Sequence, residues 1–144
     1  MVVLENSVDI AVRPQVAFDY FSDMRNETEW NRNARSVRLL TEDPVGVGSK
    51  YLASWAGGPE TVVECTRFER PAEWECVGRA AMMTIRFAGR VGSSGSGSRL
   101  SVRMELTPRG PAWLLQPLLR RRMQSRELDN MRSIKNAIES LAAR

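Results

Sequence analysis

Apolar and polar residues alternate along this chain in short runs before the pattern changes to helical spacing. Val8, Ile10 and Val12 alternate with Asp9, Ala11 and Arg13, which predicts a first strand with one apolar face, stopped by Pro14. Pro14 to Phe21 reads as a short helix. Proline is tolerated in a first turn, and Val16 with Tyr20 and Ala17 with Phe21 repeat at i and i+4. Ser22 or Asp23 is placed to cap a second short helix running to about Trp30, ended by Asn31-Arg32-Asn33. Helices this short are marginal alone, so both are expected to lie on something larger.

From residue 35 to 107 the period is mostly two. Val37 and Leu39, then Tyr51, Ala53 and Trp55, then Val63 and Cys65, and then Trp74, Cys76 and Gly78 each mark one side of a strand. The turns fall at Glu42 to Gly48, at Gly57-Gly58-Pro59 and at Arg70-Pro71. Met82, Thr84, Arg86 and Ala88 face away from Met83, Ile85 and Phe87. Gly89 to Ser98, with four glycines and four serines, is expected to be a flexible hairpin loop. Leu100, Val102, Met104 and Leu106 then alternate cleanly with Ser101, Arg103, Glu105 and Thr107.

Beyond Pro108 and Pro111, apolar residues at 115, 119, 123, 128, 131, 134, 138 and 141 predict an amphipathic helix of roughly 28 residues. At its start Trp113-Leu114-Leu115 with Leu118-Leu119 is apolar all round, so that end is either more deeply buried or in contact with a ligand or partner. The expected architecture is α+β: a seven-stranded antiparallel sheet, two short helices after the first strand, and a long C-terminal helix over one face. A curled sheet gripping a helix encloses volume, which is either packed solid or left as a cavity.

A length of 144 residues fits a single domain over 1–144. With no histidine, a His-containing metal site and a Ser-His-Asp triad are excluded. Cys65 and Cys76 are too few for a four-cysteine zinc site. They lie in matching register across the Arg70-Pro71 turn, which leaves a cross-strand bond or two reduced thiols. No metal or cofactor is expected. No apolar run exceeds four residues, and Glu5 and Asp9 stand where an export signal would be apolar, so a cytoplasmic protein is expected.

The charge is regional. Residues 1–108 carry a net −1 and residues 109–144 a net +5, most of it from Arg120, Arg121, Arg122 and Arg126. Such a patch suits an acidic carrier protein or membrane surface, or is the solvated face of the helix. No aromatics interleave to stack bases, so nucleic acid is not expected. Both monomer and homodimer fit the sequence.

The run Val8-Asp9-Ile10-Ala11-Val12-Arg13-Pro14-Gln15-Val16-Ala17-Phe18-Asp19-Tyr20-Phe21-Ser22-Asp23-Met24-Arg25-Asn26, with Trp30 soon after, resembles the polyketide cyclase/dehydrase and lipid-transport family. That family belongs to the START-like, Bet v 1-like (SRPBCC) superfamily, and the element order matches it as well. The resemblance implies a helix-grip fold with a cavity between sheet and C-terminal helix. It further implies binding of a hydrophobic small molecule, polyketide, lipid or isoprenoid-like. The alternatives are a polyketide cyclase/aromatase or dehydratase acting on a bound poly-ketone, and a partner-binding module working through its basic helix.

Candidate lining residues are the large aromatic and sulfur side chains Tyr20, Phe21, Trp30, Trp55, Trp74, Met83, Phe87 and Met104, with Leu115, Leu119 and Met123 from the helix. Tyr51, Glu64 and Arg86 are the polar candidates. An inward Arg86 must pair with Glu64 or Glu75, or bind an anionic headgroup or ketone oxygen; an outward one is solvated. Without histidine, a general base falls to a carboxylate with a raised pKa or to an activated tyrosine, and Asp23, Glu27, Glu64 and Tyr51 are the nominees.

Overall fold

The computed structural model describes residues 1–143; Arg144, the last position of the expected domain, lies outside the described residues. Strand β1 (Val2–Ile10) is followed by α1 (Pro14–Phe21), a 3₁₀ turn (Met24–Asn26) and the one-turn helix α2 (Glu27–Trp30). Strands β2 (Ala34–Leu39), β3 (Lys50–Trp55), β4 (Thr61–Glu69), β5 (Glu73–Arg79), β6 (Met83–Ser94) and β7 (Gly97–Pro108) come next. A 3₁₀ segment (Gly110–Leu115) then leads into α3 (Gln116–Ala142). The strands make one antiparallel sheet in the order β1-β7-β6-β5-β4-β3-β2. This is the α+β helix-grip arrangement, a curved sheet around a long C-terminal helix.

Local chemistry sets the element ends. Pro14 starts α1, and the Asp23 carboxylate accepts from the Arg25 backbone N–H at 3.0 Å, capping the 3₁₀ turn that precedes α2. Strand β1 starts at Val2 rather than Val8, because Val2 and Leu4 are buried on the same face as Ile10 while polar Asn6 interrupts the apolar run. The glycine-serine tract is not a flexible loop. Strands β6 and β7 run through it, Ser94 pairs with Gly97, and the turn is made by Gly95 (φ 58°) and Ser96. Two of its glycines serve close packing: a Cβ at Gly89 would stand 2.6 Å from Phe21 Cε1, and one at Gly97 would collide with the Ile10 carbonyl.

The interior between sheet and helices falls into two hydrophobic clusters. The larger holds Phe18, Phe21, Trp30, Tyr51, Trp74, Leu100, Met131, Ile134 and Ile138 among others. The smaller is Val2, Leu4 and Leu106, flanked by Met83, Ile85, Met104, Leu119 and Met123, all only half-buried. The C-terminal half of α3 is pinned beside the larger cluster: Glu139 accepts from the Ala11 backbone N–H at 3.0 Å and from Lys135 Nζ at 2.6 Å.

Candidate functional site

Strand alternation gives the sheet an inner face toward α3 and an outer face toward solvent. One inner row runs from Leu4 through Met104, Phe87 and Cys76 to Cys65; the next runs from Asn6 through Val102, Gly89 and Trp74 to Phe68. Cys65 and Cys76 stand opposite each other as buried free thiols. The Cys65 hydrogen bond and burial push the Cys76 thiol up.

Of the sequence candidates, Tyr20, Phe21, Trp30, Tyr51 and Trp74 are buried in the larger cluster, with Trp55 and Phe87 packed half-buried against it. Phe21 is the hub, with ring centroids 5.2 Å from Trp74, 5.7 Å from Phe87 and 5.9 Å from Trp30. Met83, Met104, Leu119 and Met123 border the smaller cluster.

Three candidates fall elsewhere. Leu115 is 60% exposed in the 3₁₀ segment. Glu64 and Arg86 lie on the outer face, one step of alternation away from inward Val63, Cys65, Ile85 and Phe87. Arg86 is the outward case: it pairs with Glu75 at 3.1 Å and Glu105 at 3.6 Å in a solvated ladder of charges. Arg120, Arg121, Arg122 and Arg126 are exposed on α3. Beside them Trp113, Leu114, Leu115 and Leu118 are also more than half exposed, which rules out deeper burial of that end.

Among the described residues, two acids are buried. Glu27, on α2, is 8% exposed, and its Oε1 accepts from Trp55 Nε1 and Asn31 Nδ2, both at 2.8 Å. Burial raises its pKa against those two hydrogen bonds. Glu127, on α3, is 3% exposed and accepts no hydrogen bond from another element among the described residues. Burial raises its pKa to about 7, partly offset by the Asn130 amide on its own helix and reinforced by the charge of Glu27.

Glu27 is among the bases the sequence nominates; Glu127 is not. The inward stripe of α3 runs through half-buried Leu119 and Met123 to buried Glu127, Met131, Ile134 and Ile138, whereas counting apolar residues alone sends it through Leu128, which is 53% exposed. The spacing of five from Met123 to Leu128 was the available signal. The other nominees serve structure: Asp23 is held by Arg25 at 2.8 Å, and burial pushes the Tyr51 phenol up.

An open depression of about 760 Å³ lies on the outer face among Glu5, Ser7, Glu73, Ala88, Arg90 and Arg103. Its charges are paired, Arg90 with Glu73 at 3.3 Å and Arg103 with Glu5 and Glu105. The half-covered apolar side chains lie on the inner face, between β6, β7 and the first half of α3.

A helix-grip fold with an apolar interior under its long helix places this chain in the START-like, Bet v 1-like class. A family profile described as polyketide cyclase/dehydrase and lipid transport matches residues 1–142, and the chain belongs to that family. Solved structures agree on the fold. A START superfamily protein from Mycobacterium smegmatis superposes with a TM-score of 0.79 at 12% identity, over 96% of this chain and 98% of its own. A Thermus thermophilus protein gives 0.78 at 14% identity over 98% of each chain. A Streptomyces aromatase/cyclase gives 0.74 at 12% identity, over 95% of this chain and 93% of its own. No curated protein matches the chain in sequence. Among the described residues, no helix is long and apolar enough to cross a membrane.

Proposed function

We propose that this protein binds a hydrophobic small molecule, polyketide, lipid or isoprenoid-like, between the inner face of the sheet and α3. The observation that carries the reading is the second cluster. Met83, Ile85, Met104, Leu119 and Met123 keep apolar surface uncovered where a solid core would close it. Methionine suits such a wall because its flexible thioether adapts to different ligand shapes. The exposed Trp113–Leu118 segment continues this surface outward, and the four arginines beside it suit an anionic lipid surface from which the ligand is loaded.

The test is native mass spectrometry of freshly purified protein, with denaturing extraction of whatever is bound. A bound hydrophobic species of defined mass is the expected result. Repeated absence of bound mass, together with no uptake of an apolar fluorescent probe, would mean that the interior is filled core.

A second reading, cyclisation or dehydration of a bound poly-ketone, is favoured by Glu127, a carboxyl titrating near neutral pH and so suited to proton transfer. A change in mass of a poly-ketone incubated with wild type, absent with Glu127→Gln, is its expected signature.

A further inference from the structure

The larger and smaller clusters meet on α3 at one residue, and it is an acid. Met123 belongs with the smaller cluster, Met131 to the larger, and Glu127 lies between them on the same stripe. Glu27 stands on α2, which packs against α3, and is oriented by the Trp55 indole and the Asn31 amide. Two carboxyls therefore enter an apolar interior in which the described residues place no lysine or arginine: the buried polar and charged side chains are Ser22, Glu27, Ser49, Thr61, Ser98 and Glu127. An uncompensated buried carboxylate is among the most costly features a fold tolerates.

The surroundings are aromatic. Trp55 donates to Glu27, Trp30 ends the same short helix, and Phe87 and Trp74 line the sheet below, their rings 5.3 Å apart. Trp74, 2% exposed, leaves its indole N–H without a partner on this inner face. Carboxylates facing an interior rich in aromatic rings make a setting that attracts a cation twice, by charge and by the ring quadrupole. A neutral hydroxyl would supply one hydrogen bond and leave the charge standing.

We propose that Glu27 and Glu127 form the polar end of the ligand site and that the ligand is an apolar molecule bearing a protonated amine, whose ammonium lies between the two carboxyls. The proposal rests on the binding reading above and narrows it to a ligand class. The titratable groups facing this interior are Glu27 from α2, Tyr20 from α1, Tyr51 from β3, and Cys65 and Cys76 from β4 and β5; the inner face of β1 presents none. Of these, Glu27 is the other carboxyl, and burial raises its pKa as it raises that of Glu127.

Three probes of one shape separate the outcomes: naphthylmethylamine, naphthylmethanol and naphthoic acid, titrated by calorimetry into the full chain. At about pH 8 the amine is expected to bind on the order of tenfold more tightly than the alcohol, with the acid weakest. Amine affinity should rise several-fold from about pH 6 to about pH 8 as Glu127 gives up its proton, with the alcohol unchanged. Glu127→Gln, a neutral replacement of the same shape, should bring amine and alcohol to within about twofold while retaining alcohol binding. Amine and alcohol binding equally to wild type across this range would overturn the subsite and leave the broader reading standing. So would a Glu127→Gln variant that kept the amine preference. Failure of every probe to bind, together with an empty native mass spectrum, would remove both.

Discussion

The two ends of the interface between α3 and the sheet are built to different standards. Beside α1, Ile134, Ile138, Phe18 and Leu100 are at most 2% exposed, Phe21 nests over Gly89, and the end of α3 is tied to the end of β1 through Glu139. Toward the start of α3, Leu119 and Met123 are half-buried, and Trp113, Leu114, Leu115 and Leu118 project into solvent. One sheet and one helix thus carry a closed scaffold at one end and unfinished apolar surface at the other. Local stability and ligand access draw on opposite packing, and separating them along one helix lets a protein keep both.

Truncation at the closed end is the strongest way to test this contrast. Phe21→Ala removes a ring that touches Trp30, Trp74 and Phe87 and leaves a cavity beneath α1. A loss of about 3–5 kcal/mol in denaturant unfolding is expected. Leu119→Ala, at the open end, should lose no more than about 1.5 kcal/mol, because its side chain is only partly covered, yet weaken uptake of an apolar probe. Equal stability losses at the two positions would erase the distinction between scaffold and mouth.

The junction between the two ends is tested by pH. Glu127 titrates at about 7 in the fold against a usual 4.5, so the folded state holds its proton more tightly than the open chain does. Its penalty is absent below the lower value, grows as pH rises between the two, and is complete above 7, at about 3 kcal/mol. Glu127→Gln should therefore stabilise the protein by about that amount at about pH 8 and change little at about pH 4. Unfolding measured at both ends of the range checks the sign. A variant less stable than wild type at the higher pH would mean that the carboxylate is compensated by a partner, contrary to its surroundings.

The closed end was the more legible in the sequence. There α1 announces itself through Pro14 and two i, i+4 pairs, and the unbroken alternation of Leu100 to Thr107 starts at that end and runs on into the open one, so element order and sheet face follow from simple periodicity. Legibility failed where a polar or small residue holds an interior position. Asn6 hid the first half of β1, the glycines that admit Phe21 and Ile10 looked like a loosened loop, and Glu127 was passed over in favour of Leu128. In each case hydrophobicity was a proxy for burial, and the proxy broke where close packing or a candidate ligand required another chemistry. Leu115 shows the converse: an apolar residue that faces solvent.

The smallest effect on stability belongs to the most exposed apolar surface. Replacing Leu114 and Leu115 together by aspartate should change unfolding free energy by no more than about 0.5 kcal/mol, since both side chains are at least 60% exposed and give up little burial. The same change should sharply weaken attachment to vesicles containing anionic lipid and abolish what survives high salt. Attachment combines insertion of Trp113 and the leucines with attraction of Arg120, Arg121, Arg122 and Arg126, about 1 kcal/mol for each arginine near the headgroups. Sedimentation with vesicles at rising salt resolves the two contributions: the charge part is screened away, the apolar part persists, and the aspartate pair removes the apolar part while adding repulsion. Wild type that ignored anionic vesicles but bound an acidic carrier protein would move the surface from lipid to protein. If the aspartate variant instead proved severely destabilised, these leucines would be packed core, and the open end would be as closed as the other.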